Sequence, residues 1–375
     1  MSSHLKTATW PLTLAYIALV VYASLYPFDS WRSQGILPWA YLTQPLPKYW
    51  TWFDVAINIA GYAPLGFLGV LTALRSGHGK FAVVGVTLLV FTLSMCMEGL
   101  QNYLPSRRAS NVDLWLNGLG GLVGGLSAWM LEKVGAIDRW SHFRRTWFVP
   151  QARGGLVLLA LWPIALFFPA SVPLGLGQVL ERVEGALGDA LSDTPFLEWL
   201  PMRTIELQPL LPGAELLCVL LGALIPVLLA YSILRTRVQR IVFLIAVQAV
   251  SLLVSTISAG LSYGPEHAVA WLTLPVQLGL LGAAVAGMLC LFLSARSCIA
   301  VLLLALVAQL FMLNLAPASP YFAQTLQTWE QGRFIRFHGV VQWLGWLWPF
   351  VAVAYVMGRI SKPISQSGNQ SVSQS

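Results

Sequence analysis

Apolar windows of about 20 residues follow one another along this chain, separated by short polar turns. They lie near 10–27, 53–74, 81–103, 111–131, 153–170, 213–234, 241–262, 273–294, 298–315 and 340–358. A helix of that length crosses roughly 30 Å of hydrocarbon. The alternating ten-residue segments of a transmembrane barrel do not occur. The pattern predicts an all-α, polytopic transmembrane helix bundle of about ten spans. The first window has no small-residue cleavage site and reads as an uncleaved span.

Composition agrees with this reading. Of 375 residues, 57% are hydrophobic and 10% charged, whereas a soluble domain carries about 25% charged residues. The net charge of +7 does not point to nucleic acid, because the basic residues are dispersed through the turns, where they set topology. Most of the 22 Lys and Arg residues, among them Arg75, Lys133, Arg144, Arg145, Arg235 and Arg359, fall on one side if both termini are cytoplasmic. That orientation is expected. Cys96, Cys218, Cys290 and Cys298 sit in apolar windows and the five histidines are isolated, so no disulfide framework, metal site or cofactor is expected.

Four segments are expected. Residues 1–135 form a four-helix membrane domain and 136–152 a basic cytoplasmic linker. Residues 153–360 form a second membrane domain of about six helices with an acidic outer loop over 171–212. Residues 361–375 form a disordered polar tail. Within the loop, Val179, Val183, Ala186 and Leu187 recur near helical spacing among acids. They predict either an amphipathic helix on the membrane surface or a solvated linker helix. No internal repeat of the kind that builds many transporters is evident.

Candidate chemistry concentrates in "EGLQNYLPSRRASNVDLWLNGLGGLVGG", residues 98–125. Asp54, Asn58 and Gly61 share one face of the second window, and Ser94, Glu98 and Gln101 one face of the third. Asp113, Asn117, Gly120 and Gly124 share one face of the fourth. An acid at mid-bilayer costs about 2.5–3.5 kcal/mol on insertion scales, so the three stripes are expected to face one another near the outer surface. The pairs Gly120/Gly124 and Gly121/Gly125 are expected to let helix backbones approach closely. Plainer readings stand beside these. "SNVD" is a capping box opening the fourth helix, Asn58 and Asn117 are interhelical hydrogen-bond partners, and Arg107 and Arg108 bind lipid phosphates. Glu98, inside an apolar run, needs a proton or a cation such as Arg107.

With these residues the chain resembles the VanZ-like family, named for a teicoplanin-resistance accessory protein. The resemblance rests on Glu98 and Gln101 ending one span, Arg107 in the turn, Asp113 and Asn117, and the spaced Gly120 and Gly124. Asn58, Pro64 and Gly66 extend it through "NIAGYAPLGF". Many members open that span with an Asp and a His. Asp54 is present here, and Asn58 stands where the His is sought. The resemblance covers about residues 10–135. It implies a protein of the bacterial cytoplasmic membrane, associated in some members with the cell-envelope response to glycopeptides.

Toward the end, "WEQGRFIRFHGVVQWLGWLWPF" places Arg333 and Arg336 three residues apart among aromatics. They are either an interfacial anchor for the last span or a further contact for an anionic head group. Three functions follow. The favoured one is an accessory protein that binds membrane lipid, including a lipid-linked glycan precursor, through Asp54, Asn58, Glu98, Gln101, Arg107, Arg108, Asp113, Asn117, Arg333 and Arg336. The second is an enzyme acting on such a lipid, with Glu98 or Asp54 as base. It lacks an evident activated nucleophile, metal set or phosphate loop. The third is a lipid transporter, for which no matching polar path toward the cytoplasm is found.

Overall fold

A computed structural model describes residues 9–26, 28, 30–45, 52–79, 81–168, 170–199, 207–208, 210–317 and 335–361. The side chains of 9, 53, 137, 138, 198 and 335–340 are outside that description, as is the expected tail after 361. The chain is all-helical, with 76% of residues in helix and no strand among the described residues. It divides into two compact units, Met1–Phe143 and Arg144–Ser375.

A helix lies at each of the ten apolar windows. Seven are long and apolar enough to cross a membrane: α2 (Trp52–Arg75), α3 (Ala82–Gln101), α4 (Asn111–Lys133), α8 (Pro212–Tyr231), α9 (Arg237–Tyr263), α11 (Ala295–Asn314) and α12 (Ile335–Ile360). Three are shorter: α1 (Thr9–Leu25), α6 (Arg153–Ala165) and α10 (Leu274–Cys290). The main departure from expectation is α6. It has 13 residues, about 20 Å at 1.5 Å per residue, where a full span to residue 170 was expected.

In the first unit α2 is central and packs on α1, α3 and, most extensively, α4. The α2–α4 contact is backbone on backbone. A Cβ at Gly120 would lie 2.5 Å from the Ile59 carbonyl oxygen, one at Gly124 1.8 Å from that of Ala63, and one at Gly66 2.0 Å from that of Gly121. The two helices therefore run in the same direction in close register, as small-residue motifs permit. Gly121 and Gly125 instead face the Val90 and Val70 side chains. Three apolar clusters fill the remaining space along the axis: Leu25, Met97 and Leu104; Val20, Tyr62, Leu65 and Val90; and Val70, Ala82 and Ala128. On the α1 side, the Tyr16 hydroxyl donates to the Gly61 carbonyl at 2.9 Å, so the stripe expected on α2 serves two neighbours.

The expected linker 136–152 is largely helical, forming α5 (Ala136–Trp147) with Arg139, Arg144 and Arg145 and a stacked Trp140–Phe143 pair.

In the second unit α8 is the buried axis, enclosed from Gly222 to Tyr231. Arg240 of α9 secures one end. Its guanidinium donates to the carbonyls of Leu291, Leu293 and Tyr231 at 2.8–3.0 Å, satisfying carbonyls at helix C-termini that have no intrahelical partner. After α6 the chain does not form a simple loop. Residues 170–179 are irregular, with Val172, Leu174 and Leu176 buried. The amide of Gln309 donates to the Leu174 carbonyl at 3.2 Å. Asn314 donates to Gly177 O at 3.0 Å and accepts from the backbone of Val179 and Leu180 at 3.0 and 2.9 Å. Then comes α7 (Leu180–Leu191), none of whose residues is buried and whose Leu180, Val183 and Leu187 are exposed along one side.

The α2–α4 contact yields a direct prediction. Gly124→Ala should destabilise the protein by about 3 kcal/mol, the upper range for overpacking. Gly85→Ala, which meets nothing within 4 Å, should cost nothing. Thermal unfolding of both variants in detergent checks this.

Candidate functional site

The C-terminal ends of α1 and α3 and the N-terminal ends of α2 and α4 meet at one end of the first unit. The polar residues gathered there mostly complete hydrogen bonds that the helix ends leave open. Helices end with unpaired carbonyls and begin with unpaired amides. At the end of α1, Gln101 Nε2 donates to Ser24 O at 3.0 Å. Arg107 donates to Tyr26 O through Nε at 3.1 Å and Nη2 at 2.8 Å. A cation at a helix C-terminus also opposes the negative end of its dipole. This gives Arg107 a local reason to occupy its turn.

The start of α4 is an altered capping box. Ser110 is the N-cap, and its Oγ accepts the Asp113 backbone N–H at 3.3 Å. In the usual box the side chain at Asp113 would return to the Ser110 N–H. Here Glu98 Oε2, from α3, takes that N–H at 2.8 Å. Asp113 Oδ1 instead accepts Asn58 Nδ2 of α2 at 2.9 Å. One turn deeper, Asn117 Nδ2 donates to Ser94 Oγ at 2.9 Å. Through these bonds α4 is tied to α2 and α3 at successive levels. Glu98, Gln101, Asn58, Asn117 and Ser94 are all buried. Both carboxylates lie at the N-terminus of α4, where negative charge is stabilised.

A cover over this end was absent from the sequence reading. The connector from α1 to α2 carries a short 3-10 turn, Ala40–Thr43, whose Tyr41 is 1% exposed. The Tyr41 hydroxyl donates to Met95 O at 3.2 Å. Burial, with the Glu98 carboxylate adding to it, pushes this phenol up to about 12, so it remains a donor at neutral pH. Asn102 Nδ2 donates to Pro38 O at 2.7 Å, and Asn111 Nδ2 to Gln44 O at 2.7 Å. Trp39 lies against Gly99, where an added Cβ would sit 3.2 Å from the ring. The connector contains no charge run or spacing motif to mark it. Its two aromatics next to Pro38 were the available signal.

Among the residues singled out from sequence, the structure brings Asn58 to Asp113, places Glu98 on the amide of Ser110, and sets Gln101 and Arg107 at the end of α1. Asp54 lies exposed in the first turn of α2, and Arg108 is exposed in the turn before α4. Asn117 Oδ1 is buried without a hydrogen-bond partner. Arg333 lies outside the described residues, and so does the side chain of Arg336.

The Asn58–Asp113 bond can be measured. A double-mutant cycle with Asn58→Ala and Asp113→Ala should give a coupling of about 1 kcal/mol in thermal unfolding, within the range of polar pairs between membrane helices. Coupling near zero would mean that the two side chains act independently.

One comparison with known proteins falls on the first unit. The VanZ/LLP1 family model matches residues 9–132, which contain α1 to α4 and the whole polar end. No curated protein and no solved structure matches the chain. The N-terminal third of this multi-pass membrane protein thus matches the VanZ/LLP1 family model.

Proposed function

We propose that the chain resides in the bacterial cytoplasmic membrane with the polar end of its first unit facing away from the cytoplasm. There it binds an anionic lipid head group or a lipid-linked envelope precursor, in an accessory role. The arrangement left after the internal bonds are made supports this reading. Most buried polar groups hold the helix ends, yet Asn117 Oδ1 lacks a partner. It lies one turn below Asp113, which is only half-buried, and Asp54 and Arg108 are exposed at the same end. Arg108 offers a guanidinium that can donate two bonds to a phosphate. The carboxylates and the Asn117 carbonyl accept from hydroxyl or amide groups of a glycan or peptide. The orientation rests on the distribution of Lys and Arg among the turns.

The observation that carries the proposal is this pairing of exposed charge with an unused buried acceptor at one bundle end. Arg108→Ala should leave the unfolding temperature unchanged and lower retention of anionic lipid by about tenfold, equivalent to 1.4 kcal/mol. Asp54→Asn should preserve phosphate binding and weaken retention of glycan-bearing lipid. Mass spectrometry of lipid co-purifying with each variant checks both. Parental lipid content in Arg108→Ala would contradict the proposal, as would a membrane-impermeant thiol reagent reaching Ser106→Cys only from the cytoplasmic side.

A further inference from the structure

The irregular segment 170–179 of the second unit has no explanation in the chemistry of the first. Non-helical backbone among membrane helices persists only where it is buried in protein or lines a cavity. This segment does both. Leu174 holds φ +61° and Gly177 φ +93°, a conformation maintained by the amides of Gln309 and Asn314. The Gly177 N–H reaches Gly345 O of α12 at 2.9 Å. Pro173, Leu174 and Leu176 line a cavity of about 70 Å³ together with Ser255, Ser258 and Ser262 of α9.

The walls define what could occupy the space. None of the lining residues is charged, which disfavours an ionic ligand. The volume is several times the ~10–15 Å³ that a single water requires. Leu166, Phe168, Pro173, Leu174 and Leu176 offer an apolar surface to which water cannot hydrogen-bond. Ser258 Oγ is committed, donating to Phe167 O at 3.0 Å. Ser262 Oγ, by contrast, is buried without a partner, which carries a desolvation cost until an acceptor arrives. Tyr263 and Trp271 also line the cavity, and these residue types favour the depth where head groups meet acyl chains.

We propose that this cavity seats the ester-bearing upper part of an acyl chain from a membrane lipid, with the Ser262 hydroxyl donating to the ester carbonyl. The carbonyl satisfies the hydroxyl, and the chain fills the apolar wall formed by the irregular segment. The site stands independently of the polar end of the first unit.

Native mass spectrometry of the full chain in detergent tests this, with dioleoylglycerol, which has no phosphate for Arg108, and its diether analogue as probes. The parent should retain one equivalent of the ester lipid after delipidation, about tenfold more readily than the ether lipid. Ser262→Ala, which adds no bulk, should abolish that preference. Ala259→Phe projects into the cavity from a residue that lines it and should remove the retained equivalent. Equal retention of ester and ether lipid by the parent would overturn the proposal. So would an equivalent kept by a folded Ala259→Phe variant, or an unchanged preference in Ser262→Ala. If Ala259→Phe does not fold, the ester–ether comparison in Ser262→Ala decides alone.

Discussion

The contact between the backbones of α2 and α4 is the constraint on which the first unit depends. No side chain can enter where Gly120 and Gly124 meet the carbonyls of Ile59 and Ala63. Because lipid tails are as apolar as the helices, close van der Waals packing and polar bonds must supply the association. The contact is therefore energetic as well as geometric. It also fixes rotation and register together, and Asp113, on the same face of α4 two turns above Gly120, is delivered to Asn58. A looser crossing would separate those groups and expose polar atoms to hydrocarbon, where each unsatisfied one costs several kcal/mol.

Given that register, the charges in the turn between α3 and α4 acquire specific tasks. Glu98 replaces the reciprocal half of a capping box, which leaves Asp113 available to α2. Arg107 and Gln101 complete the end of α1. Positions that read as a ligand-binding cluster in sequence are thus the means by which helix ends are satisfied in a membrane. The two roles are compatible: a bundle end stiffened in this way presents Asp54, Arg108 and the half-buried Asp113 at fixed positions.

Much of this was legible in the sequence because membrane helices leave a strong signal. Apolar windows gave the helix positions, and the spacing of Asp113, Asn117, Gly120 and Gly124 placed them on one face. "SNVD" gave the N-cap. What stayed hidden depends on tertiary partners. The carbonyls of Ser24 and Tyr26 are acceptors at any sequence, so nothing announced that Gln101 and Arg107 would reach them. The cover formed by Tyr41 and Trp39 has no periodicity. In the second unit the apolar run beginning at residue 153 did not reveal that the helix ends at Ala165. The amides that hold the following segment, Gln309 and Asn314, are polar residues inside an apolar window, and that is the signal the sequence carries for it.

Both units place their polar residues where backbone would otherwise be unsatisfied: at helix ends in the first, along a non-helical segment in the second. The most direct measurement for the first is oxidative cross-linking of Asn58→Cys with Asp113→Cys in a chain whose four native cysteines are replaced by alanine. The glycine-set register predicts rapid disulfide formation, and its loss when Gly124→Leu is added. No cross-link in the first protein, or an equally rapid one in the second, would contradict the account.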